Sequence, residues 1–427
     1  MGASRGADLA LALEGLGNFP LQLSLDSSDI EVMLWSGAPF RGRVGFLRQL
    51  DQARENHRDS FEGLDNDALC TRASEIFEEV FSDLLDAVDP QRTKTHYLPL
   101  TGGRDSGTIL AFLLRSVPRH NIVAITYRNP QPFSEIDFMV GQARAKAARI
   151  RHLAFDVRTL PLTTSMVLQA MELTGSAKVF GTTNIVHGYM GIDDPDAVYW
   201  TGFMGGSLNR LLLPAHIELG DSGDPKQAFA KAFSNGPDPS NMPYGLPQEP
   251  FLGNSPIHFV RQLNIVTRQD FRIQEGRFSR NHVWVAPFLH SRWAGFALNW
   301  TRENLTSDVS SKIVRDNLRD ALGDRDPAEK LSARVTKRYQ ALAKRARGPM
   351  SRILGSGYLS DLPVPSKNLV RENLSDVSSR PVFANLLDRI QAQKEDSAGL
   401  SRENLRMQEW LVELELGLKS GLKVINP

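Results

Sequence analysis

The segment Leu100-Thr101-Gly102-Gly103-Arg104-Asp105-Ser106 gathers two adjacent glycines, two hydroxyls and one carboxylate within seven residues. It follows a short apolar run and opens a helical one. A helix N-terminus presents unpaired N–H groups and the positive end of a dipole, so it attracts phosphate. Gly102 and Gly103 let the backbone turn through φ > 0 and approach an anion closely, forming a concave nest of N–H groups. Thr101 and Ser106 add hydroxyl donors. Asp105, in the first helical turn, is placed to hold Mg²⁺ bridging phosphate oxygens, because a bare carboxylate beside a phosphate would repel it.

The same residues also fit a plain strand-to-helix turn with Asp105 or Ser106 near the cap. They do not form a Walker A loop, which needs Gly-Lys-[Ser/Thr]. They do not form a dinucleotide fingerprint, whose third glycine is absent.

The elements that must position this turn can be read from periodicity. Residues 66–88 carry apolar side chains at helical spacing from Leu69 to Val88, ended by Asp89-Pro90. From 95 to 158 the pattern alternates: a strand at 96–100, a helix at 105–116, a strand at 121–127, a helix at 134–150 and a strand at 152–157. Such alternation implies a parallel sheet covered on both faces. Pro99 suits an edge strand better than a central one. Two strands are expected at 19–26 and 30–36, a loop or lid at 220–256, and helices over 257–300, 308–346, 381–395 and 401–420. The near repeat at 302–311 and 371–379 reads as two similar helix-capping segments.

Composition narrows the class. The 427 residues are 41% hydrophobic and 23% charged, as in ordinary globular proteins, with 50 basic against 49 acidic side chains and a net charge of +1. No clustered basic surface of the kind that neutralises nucleic acid dominates. A single cysteine, Cys70, excludes an intramolecular disulfide and multi-thiolate metal sites, and reads as a buried structural thiol. No apolar run reaches the length of a membrane span, Asp8 and Glu14 interrupt the first apolar stretch, and a cytoplasmic enzyme is the expectation.

The motif [Ser/Thr]-Gly-Gly-x-Asp-Ser after a strand resembles the pyrophosphate loop of the N-type ATP pyrophosphatases. Later segments resemble the synthetase domain of asparagine synthetases and β-lactam synthetases. Ile125-Thr126-Tyr127 resembles the strand end whose backbone reads adenine. Ser134-Glu135, Ala143, Ala147 and His152 follow that family's second-helix pattern, and 201–206 occupies the place of its acidic Gly-rich loop. Asp270, Arg272 and 286–289 resemble its Pro-Phe-Leu segment. Lys312, Arg315, Pro327, Arg334 and Lys337 parallel its late basic series, and Trp410-Leu411 its terminal helix.

The resemblance, over about residues 66–420, implies a doubly wound parallel sheet of the adenine nucleotide alpha hydrolase type with a largely helical C-terminal part. It implies ATP and Mg²⁺ as cofactors, and cleavage of ATP between the α- and β-phosphates to activate a carboxylate for attack by nitrogen. Leu100, Thr101, Gly102, Gly103, Asp105, Ser106, Thr126 and Gly202 are then expected to line the nucleotide site. Asp105 is the metal ligand, and Asp105 with Lys337 the catalytic pair, Lys337 neutralising charge on the departing pyrophosphate. Lys337 also reads as part of a solvated basic run, and Lys312 is a weaker form of the same idea. His152 reads as structural, Phe288 and Trp293 as core, and Asn184, His187 and Tyr189 as candidates to line a substrate cleft.

Two departures shape the expectation. Gly2 stands where the family's glutaminase carries its nucleophilic cysteine, so residues 1–65 read as a small β-containing segment rather than a glutaminase. The domain proper then spans 66–345, followed by a linker and helices over 346–427. Ammonia or an amine would come from solution, from a separate glutaminase or from the substrate. The second departure is that 202–210 contains no carboxylate, leaving Arg210 as its only charge. Three uses of the loop therefore stand open: amide formation, adenylation for another insertion, and ATP binding without turnover.

Overall fold

The computed structural model describes residues 44–58, 64–128, 132–156, 163, 192, 194–209, 283–306, 309–323, 326–327 and 331. Expectations for 19–36, 184–189, 210, 220–256, 270–272, 334–337 and the C-terminal helices lie outside them.

The described residues open with helix α1 (Val44–Asn56) and the long helix α2 (Asn66–Val88). Asp65 caps α2, its carboxylate accepting from the N–H groups of Asp67 and Ala68, as an N-cap acid should. Strand β1 (His96–Pro99), helix α3 (Arg104–Ser116), strand β2 (Ile122–Arg128), helix α4 (Pro132–Ala148) and strand β3 (Arg151–Asp156) follow. These agree with the sequence reading to within one or two residues at each end.

Two strands come from segments too short to show a period. Strand β4 (Val198–Trp200) pairs with β1, and strand β5 (Val283–Val285) pairs with β4. The expected helical pattern over 257–300 is corrected in its described part, 283–300: 283–285 is an outer strand, and helix α6 spans Ser291–Leu298, with the short helix α5 (Gly205–Asn209) earlier in the chain. Helices α7 (Arg302–Thr306) and α8 (Val309–Leu322) complete the described order. Gly323, at φ 64°, stops α8, so the helix expected over 308–346 breaks there. Residues 44–56, read as part of an irregular N-terminal piece, form a helix that packs closely on α6. A Cβ on Gly295 would lie 2.1 Å from the Ala53 carbonyl oxygen.

All five strands are parallel, in the order β3-β2-β1-β4-β5, an α/β architecture compatible with a doubly wound sheet. Strand β1 is central, and Pro99 sits at its last position. Leu100 donates its N–H to Ile125 of β2 at 2.7 Å, so by alternation the Pro99 nitrogen faces β4. It has no hydrogen to give. Pairing between β1 and β4 ends at Tyr97 and Tyr199, and beyond it the strands have no ladder holding them together.

The helices on one face meet in an aromatic core. Phe77 of α2 contacts Phe112 of α3 at 5.1 Å, Phe288 at 5.1 Å and Trp293 of α6 at 4.8 Å between ring centroids. Phe81 stacks on Trp200 at 4.5 Å. Phe288 and Trp293 are core residues, as expected, and Cys70 is buried.

At the N-terminal end of the sheet, Asp89, His96 and Trp200 form a buried chain. The Trp200 indole N–H donates to His96 Nδ1 at 2.9 Å, and His96 Nε2 lies 3.0 Å from Asp89 Oδ2. Indole nitrogen can only donate, so Nδ1 is the bare nitrogen and Nε2 carries the proton given to the carboxylate. Burial pushes the His96 imidazole below its ordinary value, although Asp89 pulls the other way. Burial raises the Asp89 carboxyl, but hydrogen bonds from His96 and from the Lys94 and Thr93 N–H groups outweigh it and hold it low.

The sign of the pH dependence follows. A depressed histidine contributes stability that is complete above its unfolded value and lost as pH falls through about 6.5 toward the folded value. Unfolding by urea should show stability falling from about pH 6.5 downward, with a second loss below about pH 4 from Asp89. His96→Leu should cost on the order of 3 kcal/mol at pH 7.5, because it removes one donor from a buried carboxylate and strands an indole N–H. An unchanged denaturation midpoint would contradict the buried chain.

Candidate functional site

The turn joining β1 to α3 lies at the carboxyl end of the central strand, where the β1–β4 ladder has just ended. In open α/β sheets such a position, with sequence neighbours diverging to either side, is where ligands enter. Its backbone is braced from within. Gly103 N–H donates to Thr101 Oγ1 at 2.9 Å, Thr101 N–H to Ser106 Oγ at 3.2 Å, and the two hydroxyls lie 3.1 Å apart. Two hydroxyl hydrogens serve one bond between Thr101 and Ser106. The pair therefore keeps one hydrogen to give elsewhere, whichever way that bond runs.

The first helical bond of α3 is Gly107 N–H to the Gly103 carbonyl, at 3.3 Å. The N–H groups of residues 104–106 precede it and have no acceptor within the helix. Gly103 is the N-cap and supplies no side chain to them.

Behind the turn, α4 approaches very closely. A Cβ on Gly141 would lie 2.4 Å from the Leu100 carbonyl oxygen and 2.8 Å from Thr126 Cγ2. One turn further along α4, Arg144 is buried at 4% exposure and paired with Asp326 at 3.2 Å. Its Nη1 donates to the carbonyls of Thr101 at 3.0 Å and Gly103 at 2.9 Å. Asp137, also on α4, places Oδ1 3.1 Å from where a Gly102 Cβ would stand.

On the other side, Asp105 meets the segment that follows β4. A Cβ on Gly202 would stand 3.0 Å from Asp105 Cβ, and one on Gly205 only 2.6 Å from Asp105 Cγ. Met204 between them adopts φ 67°, a conformation that side-chain-bearing residues rarely hold without a structural reason. Thr201 Oγ1 accepts from Phe203 N–H at 3.2 Å. A small cleft beside Asp105, shared with Arg104, Thr108, Asn209 and Ser310, leaves about 10 Å³ in which a water centre can sit, roughly room for one water.

The structure thus brings Leu100, Thr101, Gly102, Gly103, Asp105, Ser106 and Gly202 together at one end of the sheet. Thr126 lies on the neighbouring strand with its side chain turned inward, its hydroxyl 2.8 Å from His152 Nε2. Burial pushes the His152 imidazole below its ordinary value, in keeping with a structural histidine. Glu135 is held by Arg128 at two contacts of 2.7 Å. Lys312 bonds Asp67 at the start of α2, and its ammonium is committed there. Lys337 lies outside the described residues.

Asp105 is the only acid within 101–106 and 201–209, and no group of three or more His, Cys, Asp or Glu suited to a metal occurs among the described residues. Mg²⁺ bound with a polyphosphate takes only one or two protein carboxylates, with water and phosphate completing its octahedron. Asp105 fits that requirement, and Asp137 is a second acid beside the turn.

Arg144, Asp326 and Asp137 were missed in the sequence. The signal for Arg144 was a charged residue on the same stripe as Val140, Gly141 and Ala148; an arginine buried there needs partners. Comparison with protein-family models gives no match, and comparison with curated proteins gives none either. The class rests on the sheet and on this turn.

Packing around the turn can be tested by two substitutions. Helix propensity alone favours alanine over glycine by about 1 kcal/mol. Gly141→Ala should nevertheless destabilise by about 3 kcal/mol, because its methyl meets backbone that cannot yield. Gly205→Ala should cost about 1–2 kcal/mol, since the Asp105 side chain can shift. Guanidinium denaturation measures both, and a stabilising Gly141→Ala would refute the close approach.

Proposed function

We propose that this chain is an ATP-dependent, amide-forming ligase that adenylates a carboxylate and passes the acyl group to ammonia or an amine. A substrate carboxylate oxygen bonds to the α-phosphorus of ATP, and the bond from that phosphorus to the bridging oxygen breaks, releasing pyrophosphate. Nitrogen then bonds to the acyl carbon, AMP departs with the former carboxylate oxygen, and the nitrogen loses a proton to solvent or to a base.

The observation that carries this reading is the N-terminus of α3 beside the ended β1–β4 ladder, with adjacent glycines and a hydroxyl hydrogen to spare in the Thr101–Ser106 pair. The first turn of α3 and the Thr101–Ser106 pair would bind phosphate oxygens. Asp105 would hold Mg²⁺, which neutralises the phosphates and orients them. Residues at the end of β2, beginning with Thr126, would hold the adenine edge through backbone groups, and Lys337 would stabilise the pyrophosphate leaving group. The acceptor is a small-molecule carboxylate, with nitrogen from solution, a separate glutaminase or the substrate itself. No nucleic acid or membrane enters the reading; among the described residues no helix is long and apolar enough to cross a membrane.

A second reading has its own observation. The segment 201–209 brings glycine and Met204 against Asp105 and no carboxylate, which favours a retuned or non-catalytic ATP-binding subunit of a biosynthetic complex.

Purified protein assayed against a panel of carboxylic and amino acids, with ammonia or amines, should release pyrophosphate and AMP only when a substrate is present. ADP with phosphate would contradict the ligase. Nucleotide binding with no product under any condition would select the second reading. Asp105→Ala should lower kcat by at least about 100-fold, on the scale of losing one positioned electrostatic group; unchanged turnover would remove Asp105 from the metal role.

A further inference from the structure

We propose that Arg144 is a positioning residue that presets the turn for phosphate, a role that rests on the phosphate-binding reading above. Its guanidinium is buried, and four of its five N–H donors make hydrogen bonds. One end bonds the carbonyls of Thr101 and Gly103, and the other faces both oxygens of Asp326 at 3.2 and 3.4 Å.

The consequence comes from peptide geometry. In a planar trans peptide, the carbonyl of one residue and the N–H of the next point in opposite directions, and no described peptide bond is cis. Drawing the Thr101 carbonyl toward α4 turns the Gly102 N–H away from α4. The Gly103 carbonyl, which also accepts the first helical N–H from Gly107, is held by the same guanidinium nitrogen. The Gly102 donor of the turn is thereby aimed before any ligand arrives, and the cost of ordering it is met in folding rather than in binding.

The fit is specific to a planar fork. A Cβ on Gly107 would stand 3.0 Å from Arg144 Nη1, so α3 carries glycine where the guanidinium passes. Lysine offers a single ammonium that cannot span two carbonyls and a carboxylate at once. Asp326 follows α8 and Gly323, so the latch also ties that end of the chain to the turn.

The test uses the full chain with Arg144→Lys and Asp326→Asn, measuring MgATP and magnesium pyrophosphate affinity by calorimetry, thermal midpoint, and KM separately from kcat. Arg144→Lys should raise both dissociation constants on the order of tenfold, the equivalent of losing one strong charged hydrogen bond. The KM for the carboxylate should stay unchanged. Asp326→Asn should move the nucleotide constants in the same direction by a smaller factor. A merely structural arginine would lower the thermal midpoint and leave nucleotide affinity of the folded fraction at the wild-type value, which would overturn the proposal. If Arg144→Lys does not fold, Asp326→Asn decides, and wild-type affinity there overturns it. Wild-type protein that binds neither MgATP nor pyrophosphate would instead remove the phosphate reading, and the Arg144 role with it.

Discussion

A proline at the end of the central strand has no hydrogen to offer the next strand, and the geometry of this molecule turns on that lack. Pairing of β1 with β4 ends at Tyr97 and Tyr199, so the chain segments leaving the two strands are released side by side at one end of the sheet. One becomes the Gly102-Gly103 turn and α3; the other becomes the glycine-bearing segment around Met204. They meet at Asp105, where a methyl group on Gly205 would collide with its carboxylate carbon. A central position for Pro99 conflicts with its sheet preference taken alone, and the conflict disappears once the strand is seen to stop pairing there.

The two ends of the sheet treat charge in opposite ways. At the N-terminal end, Trp200 donates to His96, His96 donates to Asp89, and the Thr93 and Lys94 N–H groups complete the carboxylate's partners, so each donor meets an acceptor in a buried chain. At the carboxyl end, the Thr101–Ser106 pair holds one hydrogen more than it uses. A surplus of donors is what an anion needs, and a closed network is what a folded core needs. Arg144 joins the two kinds of network, since it is buried against a carboxylate and its Nη1 holds two carbonyls of the turn.

How much of this was legible depended on how local each signal was. The turn at 101–106 could be found because its glycines, acid and hydroxyls are consecutive and lie between an apolar run and a helical one. Helix 66–88 was read to the residue because its stripe of buried side chains repeats over six turns. Strands at 198–200 and 283–285 are three residues long, too brief for an alternation to declare itself. Arg144 was passed over because its partners lie 43, 41 and 182 residues away, a relation that no spacing rule encodes. The resemblance to asparagine synthetases named the turn's neighbours at Thr126 and Gly202, and the fold sets both near it, though the Thr126 side chain faces the protein interior.

The central claim is that the turn grips a phosphate chain rather than capping a helix. Competition binding tests this most directly: MgATP is titrated into the protein alone, and then in the presence of magnesium pyrophosphate or of AMP. The account predicts that pyrophosphate displaces ATP while AMP, lacking the β- and γ-phosphates, competes far more weakly. AMP that competes as well as ATP, or pyrophosphate that fails to compete at all, would contradict it.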